Sequence, residues 1–301
     1  MAAASKIVKM EEAVAAIPDG SHLAFSGFAI TRSPVAFAHE LIRQGKKNLT
    51  LSQCIAAFET DLLVGAGLVK RLNYGGGSLD RPGPLHNVNR AIERKLFEVN
   101  EYSNLALAMR FMAGSIGIPY IPSQTILGSS ILEKLLATKG DEIKTGKCPF
   151  TGDNVVMLKA LTPDYAVVHV PRADKSGNAI IYGPRWDQEA AMASNHIIII
   201  ADEIIADELT PHLAQEVIIP APRVDMVVNQ PYGAHPTSVY GKYDYDRAHI
   251  EEYVAYAKTE DGMRDYLDKF VYSVKSFNEY LELIGGINRI NELTADSLKK
   301  Y

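Results

Sequence analysis

Three stretches of the chain hold residue types that could do chemistry. The first, Gly75-Gly76-Gly77-Ser78, directly follows an apolar run over residues 69–74. Glycines let a ligand approach the main chain closely, and successive amides can hold a developing negative charge. The Ser78 hydroxyl adds a donor for a carboxylate, although the same four residues would also make an ordinary flexible turn. They are not a P-loop, because no Gly-Lys-Ser/Thr follows, and no Gly-x-Gly-x-x-Gly opens a helix here. The second stretch runs from Ser26-Gly27-Phe28 to Arg32-Ser33-Pro34. Its Arg32 could clamp a substrate carboxylate bidentately, or equally make a surface ion pair. Nearby in the expected sheet, Gln53 could donate to an oxyanion, or serve as a buried structural amide. The third stretch, from Pro231-Tyr232-Gly233-Ala234-His235-Pro236 to Tyr243-Asp244-Tyr245-Asp246, is dense in turn formers, aromatics and one histidine. Rigid amphipathic side chains of this kind line pockets or subunit contacts. As a general base His235 lacks an evident acid partner or nucleophile. The acid-rich run 202–208 lacks EF-hand spacing and reads as a solvated rim, and no nucleophile elbow, zinc motif or Cys–His pairing stands out.

These residues need elements to hold them. Asp19-Gly20 is a turn signal, residues 23–25 read as a short buried strand, and Pro34 stands where a helix would begin. A strand therefore delivers a small-residue loop and a helix leads away, which is where open parallel sheets bind ligands. Ser5 is expected to cap a first helix through Met10, Ala13, Val14 and Ile17. Further on, the spacing predicts a helix over 34–44, strands over 49–55 and 69–74, and a short helix over 61–68. Helices are expected over 87–97 and over 103–115, the latter capped by Ser103. Residues 123–154 read as a polar, glycine-containing segment with a mobile loop. Strands are expected over 155–158, 165–170, 178–182, 196–201, 217–219 and 224–228, with one helix over 186–194 among them. After Tyr245 come three helices, over 247–258, 261–274 and 276–284. Alternating strands and helices mean an α/β fold with a parallel sheet.

With 301 residues, 47% of them hydrophobic and 22% charged, the chain can bury an ample core as one large or two ordinary domains. A net charge of −5 gives no overall bias toward nucleic acid or anionic membrane. Two cysteines, Cys54 and Cys148, make neither a disulfide framework nor a metal-ligand spacing. The opening residues, with Lys6, Lys9, Glu11 and Glu12, do not read as a secretory signal, and the aliphatic run 197–201 is too short to span a bilayer. A reducing cytoplasm is the default expectation.

Asp-Gly, an apolar triplet, then Ser26-Gly27-Phe28 and Pro34 follow the N-terminal motif of the family I coenzyme A transferases nearly position by position, with Ser26 replacing the first of the family's paired glycines. The blocks Glu203-Ile204-Ile205-x-Asp207-Glu208 and Pro231 to Pro236 with Tyr243 to Asp246 extend the likeness over nearly the whole chain. The sequence resembles the A (alpha) subunits of this family, those of glutaconate type above all. The resemblance implies one open, mostly parallel α/β domain over residues 1–301, with 247–301 as a helical C-terminal appendage. It implies a heteromer, α2β2 or higher, in which a B subunit's glutamate attacks an acyl-CoA and becomes a glutamyl-CoA thioester that passes CoA to a second acid. This chain has no Ser-Glu-Asn-Gly-like turn; its one Glu-x-Gly, Glu260-Asp261-Gly262, lies in the charged helical tail. It is therefore expected to be the non-nucleophilic half. Substrate contacts and oxyanion support would come from Gly27, Phe28, Arg32, Gln53, Gly75, Gly76, Gly77, Ser78 and the loop around His235. Coenzyme A would be part of the substrate, with no permanently bound cofactor and no metal. The same scaffold also carries a ring-opening CoA-thioester hydrolase and a glutaconyl-type CoA decarboxylase. In the hydrolase type the alpha chain can supply the working glutamate. Glu101 lies in that stretch, with Ser103 at the matching position, while residues 80–84 depart from the glutaconate pattern. A sugar-sensing regulatory module shares the sheet type but would need a DNA-binding segment, and no helix-turn-helix with a basic face is present.

Overall fold

The computed structural model describes residues 5–206, 209 and 214–294. Its centre is an eight-stranded sheet of β1 (Ile7–Val8), β2 (His22–Phe25), β3 (Leu49–Gln53), β4 (Val69–Tyr74), β5 (Glu98–Glu101), β9 (Tyr165–Val170), β12 (His196–Ala201) and β15 (Met226–Asn229). The order is β1-β15-β12-β9-β2-β3-β4-β5 and every neighbouring pair is parallel. From β2 the chain steps outward through β3 and β4 to β5, and from β9 it steps the other way. The topology therefore switches direction between β2 and β9, leaving a crevice at their carboxyl ends. Ile197, Ile198, Ile199 and Ile200 are all fully buried, since a central parallel strand is covered on both faces.

The helices that position the crevice are α1 (Met10–Ala15), α2 (Val35–Arg43), α3 (Phe58–Gly65), α4 (His86–Glu93), α5 (Asn104–Ser115) and α7 (Asp187–Ala193). Ser103 caps α5 as expected, accepting from the Ala106 amide at 3.1 Å. Ser5 does not cap α1. Residues 7 and 8 pair as an edge strand with Val227 and Val228, so the helix waits until Met10, and Glu12 accepts from the Lys9 amide at 3.0 Å. Two further departures lie near one sheet edge. The expected helix over 87–97 stops at Glu93 to make room for β5. Residues 123–154 hold α6 (Ser130–Thr138) and β7 (Ile143–Lys147), which with β6 (Tyr120–Ser123) and β8 (Asn154–Lys159) forms an antiparallel unit ordered β6-β8-β7. In β7 only Ile143 is buried, so its alternation is nearly invisible in the sequence. A second small sheet joins β13 (Ile204–Ile205), β10 (Arg172–Asp174), β11 (Ala179–Ile180) and β14 (Val217–Ile219) in that order.

After Asp246 come α8 (Arg247–Ala257), α9 (Glu260–Leu267), α10 (Phe277–Leu283) and α11 (Gly286–Leu293). A five-residue π-helical turn, Asp268–Tyr272, extends α9. These helices fold back onto the sheet. Tyr253, Tyr266, Phe270 and Tyr280 belong to the same buried core as Leu23, Leu51, Leu72 and Val167. Each such side chain stabilises the fold by roughly 1.5–3 kcal/mol through burial alone.

Candidate functional site

At the switch point the Ser26 hydroxyl joins both sides of the crevice. It accepts from the His169 amide of β9 at 2.9 Å and donates to the Arg32 carbonyl at 3.0 Å. The next residue has to be glycine: Gly27 has φ +105°, and a Cβ there would lie 2.7 Å from the Thr31 carbonyl oxygen. Its amide donates to Asp187 Oδ1 at 2.7 Å, which ties the loop to the start of α7. Phe28 and Thr31 exchange both main-chain hydrogen bonds, at 3.0 and 3.2 Å, around Ala29 in the left-handed region. Phe28 is half-buried at the mouth of this turn.

Arg32 is fully buried, also at positive φ, and points inward. Nη1 donates to Asp187 Oδ2 at 2.9 Å and Nη2 to the Pro184 carbonyl. The charge expected to clamp a substrate carboxylate is thus spent inside the protein, where it holds the loop against α7. Gln53 is likewise engaged. Its Nε2 donates to the Ser26 carbonyl at 3.2 Å and to Glu59 Oε1 at 2.6 Å, while Thr60 Oγ1 donates to Gln53 Oε1 at 2.7 Å. An amide held by three partners shapes the crevice wall from behind. Glu59 escaped sequence reading because an acid in the first turn of a helix is an ordinary dipole-favoured choice. Only its burial marks it.

The glycine run after β4 divides its labour. Gly75 is wedged against α5, where a Cβ would sit 2.5 Å from Asn104 Cα, and Gly77 against Leu85 and the Ala56 carbonyl at 2.6 and 2.8 Å. Gly76 instead has φ +123° and open space around its Cα. The run is laced to the end of β3: Gly75 N donates to Cys54 O at 3.1 Å, Ala56 N to Gly76 O at 2.9 Å, and Ser78 N to Ala56 O at 3.2 Å. Among the described residues the amides of Gly76 and Gly77 donate to nothing. Two consecutive free donors at a strand's carboxyl end are suited to an oxyanion. Ser78 Oγ accepts from the Asp80 amide at 2.9 Å, which leaves its hydroxyl hydrogen available. Cys54 beside the run is buried, and burial pushes its thiol well above the usual range, so it supplies no thiolate. On the neighbouring strand Glu101 ends β5 exposed to solvent, and its charge helps raise the Tyr74 phenol behind the effect of burial. Ser103 is taken up by the cap of α5.

The tyrosine–histidine block packs beside the first loop. Arg32 N donates to Ser238 O at 2.8 Å, Ser238 N to Ile30 O at 2.9 Å, and Ser33 N to Thr237 Oγ1 at 3.2 Å. His235 itself is buried away from the crevice and has the acid partner that sequence reading did not find. Its Nε2 lies 3.1 Å from Asp246 Oδ2 and its Nδ1 2.8 Å from the Tyr280 hydroxyl. Arg289 closes on both Asp246 oxygens at 2.6 and 2.9 Å. Burial lowers His235, and it brings His249, bonded to Tyr266 and Tyr280, down to about 3. His235 therefore buttresses the block from behind. What the block exposes is a cavity of about 270 Å³ between Asp202, Glu203, Pro231, Tyr232, Lys242 and Tyr243. Asp207 and Glu208 of the acidic block lie outside the described residues. Among the described residues no three His, Cys, Asp or Glu side chains converge on a metal position, and no helix is long and apolar enough to cross a membrane.

The family model for coenzyme A transferase matches residues 7–230. This chain belongs to the coenzyme A transferase family. It is 32% identical to the alpha chain of glutaconate CoA-transferase from Acidaminococcus fermentans over 95% of this chain and 94% of that one. The crystal structure of glutaconate coenzyme A-transferase from the same organism superposes with a TM-score of 0.91 at 28% identity, covering 97% of this chain and 96% of that one. The corresponding chain of a 3-oxoadipate CoA-transferase from Pseudomonas knackmussii is 30% identical over 92% of this chain and 97% of its own. An uncharacterized protein of Archaeoglobus fulgidus is 36% identical over 96% of this chain, which spans 64% of that protein's length. The α/β fold with an open, mostly parallel sheet and C-terminal helices is that of the glutaconate enzyme.

Proposed function

We propose that this chain is the non-nucleophilic subunit of a heteromeric CoA transferase that moves coenzyme A between an acyl-CoA and a dicarboxylic acid of glutaconate type. The observation that carries the reading is the pair of free amides at Gly76 and Gly77, set at the carboxyl end of β4. In this reading a glutamate of a partner B subunit enters the crevice and attacks the acyl-CoA carbonyl. An anhydride forms as CoA leaves, and returning CoA thiolate converts it to the glutamyl-CoA thioester while releasing the first acid. The second acid then attacks the thioester by the reverse route. Gly76 and Gly77 hold the developing oxyanion, Ser78 donates to a substrate carboxylate, and Gly27 and Phe28 form the opposite wall. Arg32 and Gln53 keep that wall in place, and His235 supports the block beyond it. The catalytic unit is an alpha–beta pair that assembles further as α2β2 or higher in the cytoplasm, with coenzyme A entering as substrate.

The test pairs this chain with a B subunit encoded beside it. CoA exchange should need both chains and follow ping-pong kinetics, and borohydride after acyl-CoA treatment should mark a carboxylate on the partner. Borohydride labelling of this chain, or full exchange by it alone, would refute the reading. The exposed Glu101 at the end of β5 favours one second reading, the ring-opening hydrolase. Steady turnover of acyl-CoA without an acceptor acid, lost in Glu101→Gln, would select it.

A further inference from the structure

Beneath the loop that follows β2 lies a carboxyl group that the proposed reaction does not use. Glu59 is fully buried in the first turn of α3. Its Oε1 accepts from Gln53 Nε2, and that same nitrogen donates to the Ser26 carbonyl, at 2.6 and 3.2 Å. Thr60 fixes the other end of the Gln53 amide, so the amide cannot flip without breaking the set. Glu59 Oε2 and the Ser33 hydroxyl are both buried without a hydrogen-bond partner, and Ser33 is one of the polar groups that bear on the Glu59 carboxyl. Ser26 and Ser33 bound the loop, so the carboxyl group is linked through Gln53 to one end of it and lies close to the unpartnered hydroxyl at the other. That loop contains Gly27, with its left-handed backbone and close approach to Thr31, and the left-handed Ala29 and Arg32. A segment so far from its relaxed conformation keeps its shape only while its surroundings impose it.

Among the described residues no ionisable group on a neighbouring element pairs with Glu59. Arg32 is matched by Asp187, and Arg90 of α4 donates to the Ala257 carbonyl. His39 of α2 is held neutral by burial, and beside it on that helix Glu40 pairs with Arg43. On α3 itself Asp61 accepts from Val88, Asn87 and Tyr253. Burial therefore acts on Glu59 opposed only by hydrogen bonds, led by Ser33 and Gln53, and pushes it up to about 7. A carboxylate at this place would be a buried charge with no cation beside it.

We propose that Glu59 is a positioning residue for CoA transfer, which as the neutral acid holds the loop over residues 26–33 in its strained shape through Gln53 and Ser33. The proposal rests on the transferase reading above, so its first test needs no activity. Backbone amide exchange of residues 26–33 is followed in the chain alone from about pH 5 to about pH 8.5 and expressed as protection against the intrinsic rate. Loop protection should fall with rising pH, approaching tenfold per pH unit between about 5 and 7 and levelling off above about 7. The central strand β9 should keep its protection. Glu59→Gln can accept from Gln53 and donate to Ser33 at every pH, so its loop protection should not change with pH. Ser33→Ala should lower loop protection throughout the range while leaving β9 unchanged. The same pH dependence in Glu59→Gln as in the wild type, or a loop whose protection ignores pH in both, would overturn the proposal. In the assembled enzyme kcat/KM should decline above about pH 7 in the wild type and stay level in Glu59→Gln. An assembled enzyme that moves no CoA would sink the transferase reading, while the exchange result would still decide the role of Glu59.

Discussion

Acid should unfold this protein well above the pH at which its carboxylates are protonated, and the cause is histidine. An ordinary histidine titrates near 6.5, whereas burial brings His249 down to about 3 and His22 to about 4. For each, the unfolded chain binds a proton that the folded chain refuses, so stability is complete above pH 6.5 and drains away as the pH falls. At pH 5 the difference is about 1.5 pH units, or about 2 kcal/mol per histidine and about 4 kcal/mol for the pair. Burial lowers His39 and His235 too, so they act in the same direction. Glu59 acts against them. Its raised value, about 7, makes its contribution fullest below the ordinary carboxylate range and lost as pH rises through 7, so acidification from pH 7.5 to 5 returns about 2.4 kcal/mol. The decisive perturbation is His249→Gln with urea unfolding at both pH values. The variant should be weaker at pH 7.5 by about 1–2 kcal/mol, because it loses the bonds to Tyr266 and Tyr280. It should nevertheless lose about 2 kcal/mol less than the wild type between pH 7.5 and 5. With a slope of about 3 kcal/mol/M this is a change of about 0.7 M in the difference between midpoints. Equal acid sensitivity in the two proteins would refute the argument.

Three substitutions probe the crevice and its supports. Arg32→Met leaves Asp187 buried without its cation and should cost about 3–5 kcal/mol, read by thermal or urea unfolding. Gly27→Ala adds a Cβ 2.7 Å from the Thr31 carbonyl at φ +105°, so it should cost at least about 1–3 kcal/mol and sharply reduce CoA exchange by the assembled pair. Tyr253→Phe removes the hydroxyl that donates to Asp61 at 2.7 Å, deep between α3 and α8. It should lower stability by about 1–3 kcal/mol and leave the KM for acyl-CoA unchanged, which separates the core behind the crevice from the crevice itself.

How far the sequence reveals this depends on whether a residue's environment is local. Residues 165–170 and 196–201 are legible as strands to the residue, because a central parallel strand must be apolar along its length. The Ser103 cap is legible because it reaches only three residues. By contrast β5 and β7 face solvent and hide their alternation, and α6 sits in a segment whose glycines and polar residues read as loop. The site behaves in the same way. The loop after β2 and the glycine run show themselves through turn chemistry, whereas the partners of their side chains do not. Asp187 is 155 residues from Arg32, and Arg289 is 43 from Asp246. His235 and Asp246, only 11 residues apart within one singled-out block, could have been paired from sequence, since a histidine and an acid flank the same aromatic run.

The last helices have a consequence for how the molecule is made. Tyr253, Tyr266 and Tyr280 complete a core whose first wall, β2 and α2, leaves the ribosome more than two hundred residues earlier. The outermost strand of the sheet, Ile7–Val8, finds its neighbour only when Val227 has been synthesised. Until those later residues are made, the nascent sheet carries an uncovered greasy face and an open rim, the state in which chains are most easily captured by chaperones or by one another.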